Sequence, residues 1–254
     1  MSLNCDELTV AVNGRTLIRT LNMAAASGMF VCILGPNGVG KTLLLHTLAG
    51  IRPMATGAVR LHGDAIENLD RRIVARRLGL LLQTHDDAFP TTVLETAMMG
   101  RHPHLDFWQW ESPADAGIAR TALDTMDIGD LTERLTTTLS GGERRRLAIA
   151  TLLVQNPDIL LLDEPLNHLD PLHKLQVLRT LSALTDDGKT IIASLHDPVL
   201  AARFATQILL LFGDGEWAFG TTDEMLTAER LERLYGTPFA TWSHADRNVL
   251  LPAL

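Results

Sequence analysis

Short stretches of this chain are apolar at every position: FVCIL at 30–34, LGLLL at 78–82 and ILLL at 159–162; the run that ends before His196 is nearly so. A strand with one face in water would alternate apolar and polar residues. Unbroken runs suit strands of a parallel sheet covered on both faces. Other stretches repeat apolar residues at helical spacing. KTLLLHTLAG predicts a helix ending near Gly50, LAIATLLV one after Ser140, and Ile118, Ala122, Leu123 and Met126 mark one face of a helix. PTTVLETAMMGR reads the same way, and strand patterns are weak between about residue 85 and residue 156. The alternation predicts an α/β core interrupted by a helical region.

The turns between these elements carry the chemistry. After Leu34 comes G-x-x-x-x-G-K-T: Gly35, Pro36, Asn37, Gly38, Val39, Gly40, Lys41 and Thr42. Strand, glycine loop and helix form the context that makes this pattern a phosphate cradle. The glycines aim backbone N–H groups inward and the helix N-terminus adds its positive dipole end. Lys41 would reach the β- and γ-phosphates, and the Thr42 hydroxyl would ligate Mg²⁺. A carboxylate at the end of another buried strand should complete the site. In DILLLDEP, Asp163 stands there to hold Mg²⁺, and Glu164 follows as candidate general base for the attacking water.

A second helix start, LSGGERRR, pairs Ser140 with Glu143 in a capping box. Gly141 and Gly142 in its first turn cost roughly 1 kcal/mol each relative to alanine, so something must approach the backbone there. The exposed amides form a second anion site. One triphosphate can use both helix ends only if two chains meet.

GPNGVGKT, LSGGE and ILLLDEP, in this order and spacing, resemble the ATP-binding subunit of an ABC transporter over nearly the whole chain. The resemblance implies an α/β, RecA-like P-loop NTPase core, residues 1–84 and 157–240, with an antiparallel β subdomain. It also implies an inserted α-helical subdomain, residues 85–156, and leaves the tail 241–254 unassigned. The cofactors would be ATP and Mg²⁺, the metal held by Thr42, Asp163 and Gln83. Two copies would pair head to tail, each ATP lying between one P-loop and Ser140, Gly141, Gly142 and Glu143 of the other copy. By position, Gln83 matches the Q-loop glutamine, Asp170 the D-loop aspartate at the dimer seam, and His196 the switch histidine at the γ-phosphate. Three departures stand out. Leu43 replaces a second hydroxyl residue, no aromatic lies near Val12 to stack on adenine, and Glu143 stands where glutamine is typical. Lys41, Asp163, Glu164 and His196 remain, so an active ATPase is expected.

A lone cassette fits a bacterial importer, peripheral on the cytoplasmic face of the inner membrane through a multi-span permease, with a periplasmic substrate-binding protein in the system. GPNGVGKTLLLHTLAG, NHLD, GRHPHL and HDPVLAARFATQILLLFGDGEWAFGTTDEML resemble the subgroup serving iron–siderophores, haem and cobalamin. The alternatives are a soluble assembly factor of the iron–sulfur type and an exporter subunit.

Composition agrees with this picture. With 22 basic and 30 acidic residues the net charge is −8, which argues against nucleic acid as a partner. The basic runs LDRRIVARR and Arg144–Arg146 read as solvated helix faces. Cys5 and Cys32 cannot form a disulfide framework, MSLNCDELTV does not read as a signal peptide, and no run nears the ~18 apolar residues of a membrane span. GRHPHLDFWQW, residues 100–110, is the unusual segment, holding His102, His104, Phe107, Trp108 and Trp110. Two histidines beside Asp106 are too few for a metal site. Pro103 and the acidic Asp106 and Glu111 argue against a membrane anchor. Packing inside the helical region and lining a permease docking groove both remain, and docking is the preferred expectation.

Overall fold

The computed structural model describes residues 2–83, 90–106, 108–244 and 247–253. β1 (Ser2–Val12) and β2 (Arg15–Ala26) form an antiparallel hairpin. Its tight turn places Asn13 and Gly14 at positive φ, the Asn-Gly chemistry that matches strand twist. After β3 (Phe30–Leu34) and α1 (Lys41–Leu48), β4 (Thr56–Leu61) and β5 (Asp64–Ala65) complete a four-stranded sheet ordered β2-β1-β4-β5. α2 (Arg71–Arg77) then leads into β6 (Leu78–Leu81).

Helices follow: α3 (Val93–Met98), α4 (Pro113–Thr125) and α5 (Gly141–Gln155). Each starts with a capping box, Thr92 with Glu95, Ser112 with Asp115 and Ser140 with Glu143. The chain returns through β7 (Ile159–Leu162), α6 (Pro171–Asp186), β8 (Thr190–Ser194), α7 (Pro198–Phe204), β9 (Gln207–Gly213) and β10 (Glu216–Thr221). The second sheet is ordered β10-β9-β3-β8-β7-β6, parallel except for β10. Short helices α8 (Thr222–Met225) and α9 (Ala228–Tyr235) precede a hairpin of β11 (Phe239–His244) and β12 (Arg247–Pro252). Residues 241–254, to which the sequence assigns nothing, thus hold most of that hairpin.

The unbroken apolar runs are explained by two cores. Phe30, Cys32, Leu34, Leu160, Leu162, Ile191 and Ala193 face the core shared with α3–α6. Val31, Ile33, Ile159, Leu161 and Ile192 face the other, packed on α1 and the antiparallel sheet. With side chains alternating between two dry faces, these strands are apolar except at the ends of β8, where Thr190 and Ser194 are hydrogen-bonded. The P-loop follows β3, Gln83 follows β6, Asp163 follows β7 and His196 follows β8, so the candidate residues gather at the carboxyl ends of four adjacent parallel strands.

Candidate active site

The loop between β3 and α1 places Gly38 at φ 77° and Gly40 at φ 110°. Both lie in the left-handed region that glycine enters without steric cost. A side chain at Gly40 would also press on Leu17, with its Cβ 3.2 Å from that residue's Cβ. Lys41 is buried, and its ammonium donates to the carbonyls of Gly35 at 2.7 Å and Pro36 at 3.1 Å. Burial lowers its pKa from the ordinary lysine value, while the charges of Glu164 and Asp163 act in the opposite direction.

Asp163 is completely buried. Its two carboxylate oxygens accept from different elements, Oδ2 from the Thr42 hydroxyl at 2.6 Å and Oδ1 from the Ser194 hydroxyl at 2.7 Å. Ser194 in turn accepts the Glu164 backbone N–H at 2.8 Å, locking the two consecutive acids to β8. Glu164 has φ 48°, a left-handed conformation that costs a non-glycine residue on the order of 1–3 kcal/mol. Three side chains converge on its carboxylate. His196 Nε2 lies 2.7 Å from Oε1, Gln83 donates to Oε2 at 3.0 Å, and Asn167 donates to Oε2 as well. Burial alone would raise its pKa. The hydrogen bonds from His196 and Asn167, with the charges of His196 and Lys41, outweigh burial and leave the pKa below the ordinary glutamate value.

Asn37, Gly38, Gly40, Lys41, Thr42, Leu43, Gln83, Glu164 and His196 line one open cavity of about 310 Å³. Gly35, Pro36 and Val39 form the loop beneath it. Val12, Asp170 and residues 140–143 do not line it. Val12 is half-buried at the end of β1, packed against the core under the antiparallel sheet. Ser140 and Gly141 are exposed at the start of α5, where Glu143 accepts the Ser140 N–H at 2.7 Å and donates its own N–H to the Ser140 hydroxyl at 3.3 Å. Within the subunit, what approaches the glycines is His168. A Cβ on Gly142 would stand 3.1 Å from its carbonyl oxygen.

In GRHPHLDFWQW both histidines face partners within the chain. His102 Nε2 faces Glu111 at 3.2 Å and His104 Nε2 faces the Gln155 carbonyl at 2.8 Å. Among the described residues no group of three or more His, Cys, Asp or Glu could hold a metal. Trp108 and Trp110 are 88% and 85% exposed, which removes the packing alternative for them. Phe107 lies outside the described residues. The turn Met99–His104 is fastened to α2, since Arg76 and Arg72 donate to the Pro103 carbonyl at 2.7 Å and 3.1 Å.

Residues 18–167 match the family described as ABC transporter. The chain belongs to the ABC transporter family. It is an ABC ATP-binding domain, and as such an ATPase. The ferric enterobactin transport ATP-binding protein FepC of Escherichia coli K12 is 37% identical over 236 residues, covering 92% of this chain and 87% of its own length. The iron(3+)-hydroxamate import ATP-binding protein FhuC of Bacillus subtilis 168 is 33% identical over 235 residues, covering 92% and 87%. A solved ABC transporter described as of metal-chelate type, in an inward-facing conformation, aligns with TM-score 0.86 and 26% identity, covering all of this chain and 98% of the other.

Three residues of this ABC site escaped the motif reading. Ser194 closes an apolar run with a lone hydroxyl, and Asn167 follows Glu164 by three residues. Arg145 corrects an expectation outright. It was grouped with an exposed basic turn, yet it is buried, with only Arg144 of the three exposed. Its guanidinium donates to the carbonyls of Leu82 at 2.6 Å, Gln83 at 3.4 Å, Pro165 at 3.3 Å and Asp163. Burial lowers its pKa to about 10. Position 145 shares a helical stripe with Ile149 and Leu152, both buried, which was the available signal.

Proposed function

We propose that this ABC protein hydrolyses ATP to energise uptake of a metal chelate, a ferric siderophore or haem, or of cobalamin, through a membrane permease served by a substrate-binding protein. The names of FepC and FhuC, and of the hemin import protein HmuV of Rhodopseudomonas palustris BisA53, 34% identical over 246 residues, support the first two cargoes. The observation that carries the catalytic reading is the convergence of Lys41, Thr42, Gln83, Glu164 and His196 on one cavity, with Asp163 hydrogen-bonded to Thr42 beneath it. In the working state two copies face each other head to tail. Ser140–Glu143 of each complete the other's nucleotide site, and Asp170 lies at the seam.

Lys41 and the P-loop amides bind the β- and γ-phosphates. Glu164, ionised at neutral pH, takes the proton of the attacking water, and His196 orients that carboxylate and contacts the γ-phosphate. Gln83 donates to the other oxygen of the same carboxylate. The Thr42 hydroxyl, which bonds the Asp163 carboxylate, and the Gln83 amide oxygen are hard oxygen donors of the kind that suits Mg²⁺, and these three residues would hold the ion. When bound, Mg²⁺ neutralises charge on the β- and γ-phosphates. The chain attaches to the membrane through its permease. No helix among the described residues is long and apolar enough to cross a membrane.

Glu164→Gln in the assembled permease complex is expected to slow hydrolysis about 100-fold or more while ATP binding persists. A variant turning over at the parent rate overturns the assignment of the base. Uptake of radiolabelled ferric siderophore, haem and cobalamin into vesicles carrying the complex decides the cargo. Association with a soluble assembly complex, and with no membrane protein, overturns the transport reading.

A further inference from the structure

His173, on the first turn of α6, has an environment that the nucleotide chemistry does not use. Asp170 caps that helix, accepting the His173 backbone N–H at 2.9 Å through Oδ1, while its Oδ2 lies 2.7 Å from His173 Nδ1. On the other side of the ring, Nε2 lies 3.5 Å from Asp127 Oδ2. Asp127 follows α4 at φ 56° and is held by α5, since Arg146 donates to its carbonyl at 2.9 Å and to Oδ2 at 3.4 Å. One turn further along α6, Gln176 donates to the Thr125 carbonyl at 3.0 Å.

The chemistry of the ring follows from these partners. Nδ1 faces one carboxylate and Nε2 the other, so the ring bridges Asp170 at the start of α6 and Asp127 after α4, with Arg146 as a second partner of Asp127. The same contacts, the His173 backbone N–H first, hold the Asp170 carboxyl below the ordinary aspartate range.

The location gives the clamp a consequence. Residues 164–170 run from Glu164 to Asp170, with Asn167 bonded to Glu164 and His168 against Gly142. Asp127 and Arg146 belong to the region that carries Ser140. We infer that His173 is a positioning residue for hydrolysis, a ring clamped between Asp170 and Asp127 that ties the loop following Glu164 to the helix whose N-terminus reads the partner's nucleotide. This rests on the head-to-tail reading of the signature. Through the clamp, engagement of Ser140 at one nucleotide is transmitted to the placement of Glu164 at the other.

The test uses ATP turnover of the full chain assembled with its permease. His173→Gln keeps a polar side chain but cannot present two ring nitrogens to opposite carboxylates, and Asp127→Asn suits the left-handed backbone because asparagine tolerates it. Each is expected to lower kcat about 5-fold, with KM for ATP unchanged and the double variant no worse than either single, as for groups in one network. Equal thermal midpoints exclude a folding defect. Wild-type kcat in both variants, a changed KM for ATP with kcat intact, or multiplying losses in the double overturns the inference. Glu164→Gln serves as the control. If it stays active, the active-site reading fails; if it is inactive while His173→Gln matches wild type, only the clamp is wrong.

Discussion

Glu164 shows how much of an active residue's behaviour is set by its neighbours. Its carboxylate is restrained by His196, Gln83 and Asn167, and its backbone by Ser194. Its depressed folded-state pKa means that its stabilising contribution is present above the unfolded glutamate pKa and is lost as pH falls through the lower folded value. Carboxyl NMR titration should therefore place Glu164 below the ordinary glutamate range. His196→Ala removes the foremost of the lowering contacts and should move the titration upward. An unmoved titration would mean that His196 does not set this carboxylate's charge. The motif residues at this scale were legible because phosphate binding demands fixed residue types at fixed spacing. Ser194 and Asn167 were less so, since a lone hydroxyl or amide acquires its role only when a strand or turn brings two acids beside it.

At the scale of elements, Arg145 joins α5 to the ends of β6 and β7. Replacing it with leucine leaves buried carbonyls without a donor and should cost about 3 kcal/mol of unfolding free energy. Lysine should recover little, because one ammonium cannot reproduce a planar fork reaching four carbonyls. Chemical denaturation of both variants measures this, and a fully stable lysine variant would contradict the fork argument. The parallel strands were readable as unbroken apolar runs and the helix starts as capping boxes. Arg145 was not, because its acceptors come from chain segments about 20 and 60 residues away and local periodicity does not register them. The hairpin of β11 and β12 was missed for a related reason. Its sequence has no two-residue turn signal of the Asn-Gly kind that marks the hairpin of β1 and β2.

For the whole molecule, the basic face of α2 and the segment after α3 form one surface. Arg72 and Arg76 hold the Pro103 turn, and beyond it Trp108 and Trp110 stand out from the body of the protein. Large aromatics exposed next to a fastened turn suit a protein interface, because they offer contact area at small entropic cost. Trp108→Ala and Trp110→Ala should leave unfolding free energy within about 0.5 kcal/mol of wild type, as for other surface substitutions, while weakening co-purification with the permease. Loss of folding, or permease binding at full strength, would count against a docking role.

The strand order also sets when this molecule can become functional during its synthesis. β3 is made early, but its sheet partners are β8 and β9, and the partner of β6 is β7, so both wait for chain beyond residue 158. At roughly 5–20 residues per second, Phe30–Leu34 stays without its neighbours for on the order of ten seconds on the ribosome. The hairpin of β1 and β2 and the helices α3–α5 can close on local contacts in that interval. The phosphate loop gains its rigid base only after β9 has emerged. A nascent chain interrupted before Gln207 therefore presents an aggregation-prone apolar strand in place of a nucleotide site.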